Sequence, residues 1–283
     1  MTSLTGRVAI VTGGANGMGE ATAHLLAHRG DIVVIADKDS ERAPLVSDAI
    51  NEQGGQAVSI VTDVSEAEQV DALVRKTLEL YGRIDALDNN AAALELVGED
   101  HDVLSLEPET LFGTLKGTLV SAYLMTRAVL PAMLEQGGGA IVNMASLAGM
   151  WGQHRQTAYG MAKAGLIQFT RSVAIQYGRS GIRCNAVAPT FVRTRNTLLF
   201  APPGLNEVYE RALALPETPL PEDIAEVVVF LLSDAARKIT GHLVPVDGGT
   251  TANSQITADY REWMASAGVD GVLSEDYQQW AQQ

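Results

Sequence analysis

Seven short apolar runs recur along this chain, each closed by turn residues and separated from the next by a helix-length segment. They are "RVAIVT" (7–12), "IVVIAD" (32–37), "AVSIVT" (57–62), "IDALDN" (84–89), "AIVNMA" (140–145), "IRCNAVA" (182–188) and "HLVPVD" (242–247). Most are apolar at consecutive positions instead of alternate ones, as strands covered on both faces must be, so a parallel sheet is expected. Helical patterns near 18–29, 40–53, 66–81, 109–136, 158–178 and 222–233 lie between the runs. Repeated β-α-β order with right-handed crossovers implies an α/β, doubly wound parallel sheet of about seven strands with helices on both faces. The 283 residues, 46% of them hydrophobic, suffice for one large core. In "DVSEAEQV", Ser65 with Glu68 three residues later predicts a capping box for the third helix.

Residues 1–250 are expected to form one domain. Within it, residues 190–220 interrupt the rhythm, with "TLLFAPPG" at their centre. Such a long loop is either a lid over a binding site or a segment packed on the body. Residues 251–283 carry Tyr260, Trp263, Tyr277 and Trp280. They read as a helical extension docked on the body or on a neighbouring subunit. A formal net charge of −14 without a Lys/Arg cluster argues against nucleic acid and anionic membrane as partners. The lone cysteine, Cys184, excludes an intrachain disulfide framework and fits a reducing compartment. The N-terminus "MTSLTGRVAIVTGG" has no basic segment leading into an apolar core. No apolar run approaches the ~18 residues of a membrane span. A cytoplasmic location is expected.

The first run leads through a glycine-rich turn into an alanine-rich helix, "VAIVTGGANGMGEATAHLLA". Gly13, Gly17 and Gly19, with Asn16 and Met18 among them, follow a G-x-x-x-G-x-G spacing instead of the commoner G-x-G-x-x-G. The physics is shared. Glycine lets backbone approach a pyrophosphate, and the helix start offers unpaired N–H groups and the positive end of its dipole. Asp37 closes the second run. A carboxylate there can bind both ribose hydroxyls of an adenosine and repel a 2′-phosphate, or simply end a strand. NAD is therefore favoured over NADP, with Lys38 pulling the other way. Asp63, followed by Val64, stands where it can meet the adenine. Asn89 and Asn90 can tie strands together and brace a cleft, or only turn the chain.

Together, TGGANGMG, Asp63-Val64, NNAA, a serine thirteen residues before YGMAK, and NAVAPT resemble the short-chain dehydrogenase/reductase family over roughly residues 4–250. The resemblance implies a Rossmann-type domain, NAD(P)-dependent oxidoreductase chemistry and a homo-oligomer, most often a tetramer. It makes Tyr159 the acid/base, Lys163 its partner and ribose ligand, and Ser146 the residue that positions the substrate oxygen. Val192 and Thr194, just after Pro189, fall where family members contact the nicotinamide carboxamide. "GTLKGTLVSAY" puts Thr114 where the family commonly has an asparagine supporting a relay water. Thr190 and Ala92 replace family glycines.

Tyr159 and Lys163 lie one helical turn apart, on one face. A free phenol, with a pKa of ~10, is too weak a base at neutral pH, and a nearby ammonium together with an oxidised nicotinamide is expected to lower it by about 2–3 units. Ser146 need only donate a hydrogen bond to a developing alkoxide or carbonyl oxygen. No metal is expected, because His24, His28, His101, His154 and His242 form no ligand spacing. Leu94, Leu96, Leu147, Met150, Trp151, His154, Leu198, Leu199 and Phe200 are the pocket candidates. Being mostly apolar, they point to a bulky secondary alcohol or ketone such as a steroid, terpenoid or aryl carbinol. Arg155, Arg193 and Arg195 leave an anionic substrate open. The alternative function, a noncatalytic NAD-binding regulatory protein, draws its support from Thr114.

Overall fold

A computed structural model of the chain describes residues 6–253 and 257–266. Seven parallel strands are present: β1 (Val8–Thr12), β2 (Ile32–Asp37), β3 (Gln56–Val61), β4 (Ala86–Asn89), β5 (Gly139–Met144), β6 (Ile182–Pro189) and β7 (Leu243–Val246). They pair in the order β3-β2-β1-β4-β5-β6-β7. The chain builds outward from β1 to β3, then crosses back to place β4 on the other side of β1. That reversal opens a crevice beyond the carboxyl ends of β1 and β4, where ligands of such sheets bind.

The continuous apolar runs are explained by two-sided cover. All five residues of β1 are buried. Ala9 and Val11 face a core shared with α1 (Gly17–His28), α2 (Arg42–Glu52) and α9 (Pro221–Leu232). Val8 and Ile10 face the opposite core, under α3 (Ala67–Tyr81), α5 (Ser121–Glu135) and α6 (Thr157–Tyr177). Strand and helix bounds fall within about two residues of the sequence expectation, except in the middle of the chain. There the 109–136 pattern divides into α4 (Pro108–Leu115), a wide π-helical turn at Lys116–Val120, and α5.

One expectation fails locally. Ser65 does not cap α3, which begins after Glu66 with no side-chain cap. Ahead of the helix Asp63 accepts the Ser65 N–H at 2.9 Å, while Gln69 accepts the Asp63 N–H at 2.9 Å. Pro108–Glu135 is also long and apolar enough, by length and composition, to cross a membrane. Its apolar residues Met125, Val129 and Met133 are instead buried against the sheet, as in a core helix.

The 190–220 segment holds α7 (Arg195–Phe200) and α8 (Leu205–Ala212). The described part of the extension, α10 (Thr257–Ser266), is held to this same chain, where Arg261 donates to the Leu213 carbonyl at 3.0 Å. Tyr260 and Trp263 stack on one another and remain exposed. Tyr277 and Trp280 lie outside the described residues.

Candidate active site

At the end of β1 the chain turns through Gly13, whose φ of +65° disfavours any side chain. A Cβ at Gly19 would collide with the Gly13 carbonyl oxygen, so the turn closes directly on the start of α1. Asn16 occupies the N-cap of α1 without a side-chain cap bond. The first N–H groups of the helix therefore have no side-chain acceptor, which fits a pyrophosphate. Met18 packs partly buried against the core beneath. Asn90 stitches β4 to this turn, donating to the carbonyls of Thr12 and Gly13 at 3.1 Å each. Asn89, pointing to the other face, donates to Asn143 at 2.8 Å and Thr126 at 3.1 Å and so ties β4 to β5 and α5.

The Asp37 carboxylate is already engaged, accepting the N–H groups of Ala15 and Asp39 at 2.9 Å each. Lys38 beside it is drawn away to Glu95 at 2.6 Å. Arg42 donates to the Ala15 carbonyl at 3.1 Å. Asp63 stands beyond the end of β3, and Val64 is buried under α3.

Ser146 follows β5 in extended conformation, its hydroxyl accepting the Ala148 N–H at 3.2 Å. It also stands close enough to the Tyr159 phenol to favour its ionisation. Lys163 is buried, 5.3 Å over the Tyr159 ring, and donates to the Met144 carbonyl at 2.6 Å. The trio thus meets at the carboxyl edge of β5. Its electrostatics in the chain alone are set by burial. Burial pushes the Tyr159 phenol up to about 12, with the Ser146 hydroxyl pulling it back. Burial likewise pushes Lys163 down to about 7, against the upward pull of Asp88. The lowered phenol is therefore not a property of this chain alone, because burial raises it.

Asp88 gave no warning in the run "IDALDN". It is fully buried on β4 between Val11 and Val142, and neither carboxylate oxygen has a hydrogen-bond partner. Burial pushes it up to about 8, against the downward pull of Lys163. Thr114 is buried on α4, which packs on α6, and its hydroxyl also lacks a partner. The π turn follows two residues later, a feature that gathers at functional sites.

On the open side, Leu94, Met150, Trp151, His154, Leu198 and Leu199 are exposed, and Leu96 sits partly buried against Gly113 of α4. Leu147 departs from the pocket set. It is buried with Ala145, Ile167, Ala186 and Ala188, because the turn after Ser146 points it into the core. The Phe200 side chain lies outside the described residues. Pro189 ends β6 and Val192 is buried in the core. Thr194 caps α7, with its hydroxyl accepting the Thr197 N–H at 3.1 Å. Arg155 contacts His101 and Arg193 pairs with Glu217, both at 2.6 Å, while Arg195 is exposed. Tyr209 of α8 stacks on Phe191 at 5.1 Å and weighs on the ionisation of Tyr159. Nothing in its helical surroundings marks it out in the sequence. Among the described residues no cluster of three metal-ligating side chains occurs.

A family model described as enoyl-(acyl carrier protein) reductase matches residues 13–251. The chain is 39% identical over 252 residues to a 3-oxoacyl-[acyl-carrier-protein] reductase of Synechocystis, covering 88% of this chain and 98% of that protein. It is 32% identical over 254 residues to a 7alpha-hydroxysteroid dehydrogenase of Bacteroides fragilis, covering 90% and 98%. A crystal structure described as a short-chain dehydrogenase/reductase from Burkholderia xenovorans superposes with a TM-score of 0.83 at 33% identity, covering 89% of this chain and 99% of that one. The names differ in substrate and agree in kind, and the likeness covers most of each chain. This chain belongs to the short-chain dehydrogenase/reductase family.

Proposed function

We propose that this protein is an NAD-dependent dehydrogenase or ketoreductase that interconverts a bulky, hydrophobic secondary alcohol and its ketone. The observation that carries the reading is the convergence of Ser146, Tyr159 and Lys163 beside the glycine turn. The turn at Gly13, Gly17 and Gly19 would hold a pyrophosphate, Asp37 the adenosine ribose, and Lys163 the second ribose. A nicotinamide cofactor, when bound, supplies the hydride acceptor or donor and, oxidised, a positive ring that favours phenolate. Tyr159 takes the hydroxyl proton during oxidation and returns it to the ketone oxygen during reduction. Ser146 donates a hydrogen bond to that oxygen as its charge develops. Thr114, with its free hydroxyl, is the candidate to support proton transfer behind Lys163.

Asp37 supports NAD over NADP, and the Lys38–Glu95 pair adds a second carboxylate at that corner. The exposed leucines, Met150 and Trp151 favour an apolar substrate, while Arg155 and Arg193 are occupied elsewhere. A steroid-sized alcohol suits this lip, as the hydroxysteroid dehydrogenase relative also suggests. A homotetramer and a cytoplasmic location belong to the same proposal. Exposed Phe112, Tyr123, Met161 and Ile175 on α4, α5 and α6 offer an apolar interface, and the buried Cys184 thiol suits a reducing compartment.

A panel of alcohols and ketones assayed with each cofactor tests the reading. Turnover should vanish in Tyr159→Phe with NAD binding retained, and kcat/KM should favour NAD in the wild type. Preference for NADP would overturn the cofactor assignment. Absence of turnover across the panel, with NAD changing the binding of a partner protein, would return the regulatory alternative.

A further inference from the structure

The catalytic helix begins badly by its own means. Gln156, at the N-cap of α6, has φ of +66°, the one positive value on a non-glycine among the described residues, and its side chain makes no cap bond. A helix start of this kind leaves its first N–H groups in need of outside acceptors. They find them fifty-odd residues earlier in the chain, on the loop after β4. Asp100, fully buried, accepts the Ala158 N–H through Oδ1 at 3.0 Å and the Tyr159 N–H through Oδ2 at 2.8 Å. Its own carbonyl accepts the Gln156 N–H at 3.0 Å.

Contacts around Asp100 complete a clasp. Thr157 donates its hydroxyl to the His101 carbonyl at 2.8 Å, and Arg155 donates to His101 Nδ1 at 2.6 Å. The same loop starts at the exposed Leu94 of the substrate side, and its Glu95 holds Lys38 next to Asp37. One loop therefore touches the cofactor corner, the substrate lip and the backbone of Tyr159.

We propose that Asp100 is the positioning residue for Tyr159: its carboxylate caps α6 from the neighbouring loop and sets where the phenol stands relative to Ser146 and Lys163. A carboxylate at a helix N-terminus is both an acceptor and a favourable charge. Two bonds to adjacent amides, one of them on the tyrosine itself, define the height and the rotation of the first turn. A catalytic group displaced by about 1 Å loses on the order of a hundredfold in rate, so a cap at this place governs turnover more than binding. The proposal rests on Tyr159 being the acid/base, and its test separates the two.

Asp100→Ala and the shape-conserving Asp100→Asn should be compared with the wild type, using Asp102→Ala on the same loop as a control. Asp100→Ala should lower kcat by about 10- to 100-fold, with substrate KM and NAD dissociation constant within about twofold of the wild type. Asp100→Asn, which keeps one acceptor, should recover part of the loss, and Asp102→Ala should lose nothing. Independently of activity, the ring resonance of Tyr159 in protein carrying labelled tyrosine, assigned by its disappearance in Tyr159→Phe, should shift in Asp100→Ala. The resonances of Tyr81 and Tyr177 should stay in place. An unmoved Tyr159 resonance, or a loss shared equally by kcat, KM and NAD affinity, would overturn the proposal. A wild type without turnover on any alcohol or ketone would instead overturn the acid/base reading, leaving the resonance test to decide the role of Asp100.

Discussion

Replacing Asp88 by valine should stabilise this protein, and increasingly so as pH rises. The side chain is fully buried on β4, opposite Val11 on one side and Val142 on the other, with both oxygens unpartnered. Valine, already the residue on both neighbouring strands, replaces it with an apolar side chain of one fewer heavy atom. A buried polar group without partners costs about 1–3 kcal/mol, and more when charged. The pH dependence follows from its ionisation. In the fold the carboxyl is raised from 3.8 to about 8. Between those values the folded chain keeps a proton that the unfolded chain has released. The contribution of such a group to stability is complete below the unfolded pKa and is lost as pH climbs towards the folded one. The ceiling of that loss is about 1.4 kcal/mol per pH unit.

Valine has no such dependence, and carboxylates common to both proteins cancel in the difference. We expect Asp88→Val to be more stable by about 1 kcal/mol at pH 5.5, rising to about 3 kcal/mol at pH 7.5. For a chain of this length the upper figure corresponds to roughly 6–12 °C in Tm. Urea unfolding of both proteins at the two pH values measures the difference directly. Equal stability at pH 7.5, or a gain that does not grow with pH, would refute the account of Asp88 as a raised, unpartnered acid.

Two further outcomes follow from the site. Gly19→Ala should weaken NAD binding by at least tenfold, measured by calorimetry or cofactor fluorescence, since its methyl group would press on the Gly13 carbonyl and force the turn open. Thr114→Ala should lower kcat several-fold while leaving NAD affinity unchanged, and Thr114→Asn should restore it; equal kcat in all three, with chemistry shown to limit the rate, would remove this position from proton transfer.

Much of the architecture is legible in local pattern, because the forces that set it act over a few residues. Runs such as "RVAIVT" are apolar at every position since neighbouring side chains enter opposite cores, and no tertiary knowledge is needed to see that. Gly13 and Gly19 are demanded by the turn they make, and the four-residue spacing of Tyr159 and Lys163 places both on one face of any helix. What local pattern could not decide are the roles that depend on a distant neighbour. In "GEDHD", Glu99 and Asp102 are exposed acids while Asp100 is buried as the cap of a helix more than fifty residues away. Ser65 and Glu68 match a capping box, yet Asp63 and Gln69 hold the turn. Leu147, a pocket candidate beside Ser146, fills the core, whereas Tyr209 on a plain helix stacks on Phe191 and raises the Tyr159 phenol. The phenol itself rises with burial instead of falling beside its lysine. Desolvation, like capping from afar, is set by everything packed around a group, and only the folded chain brings those neighbours together.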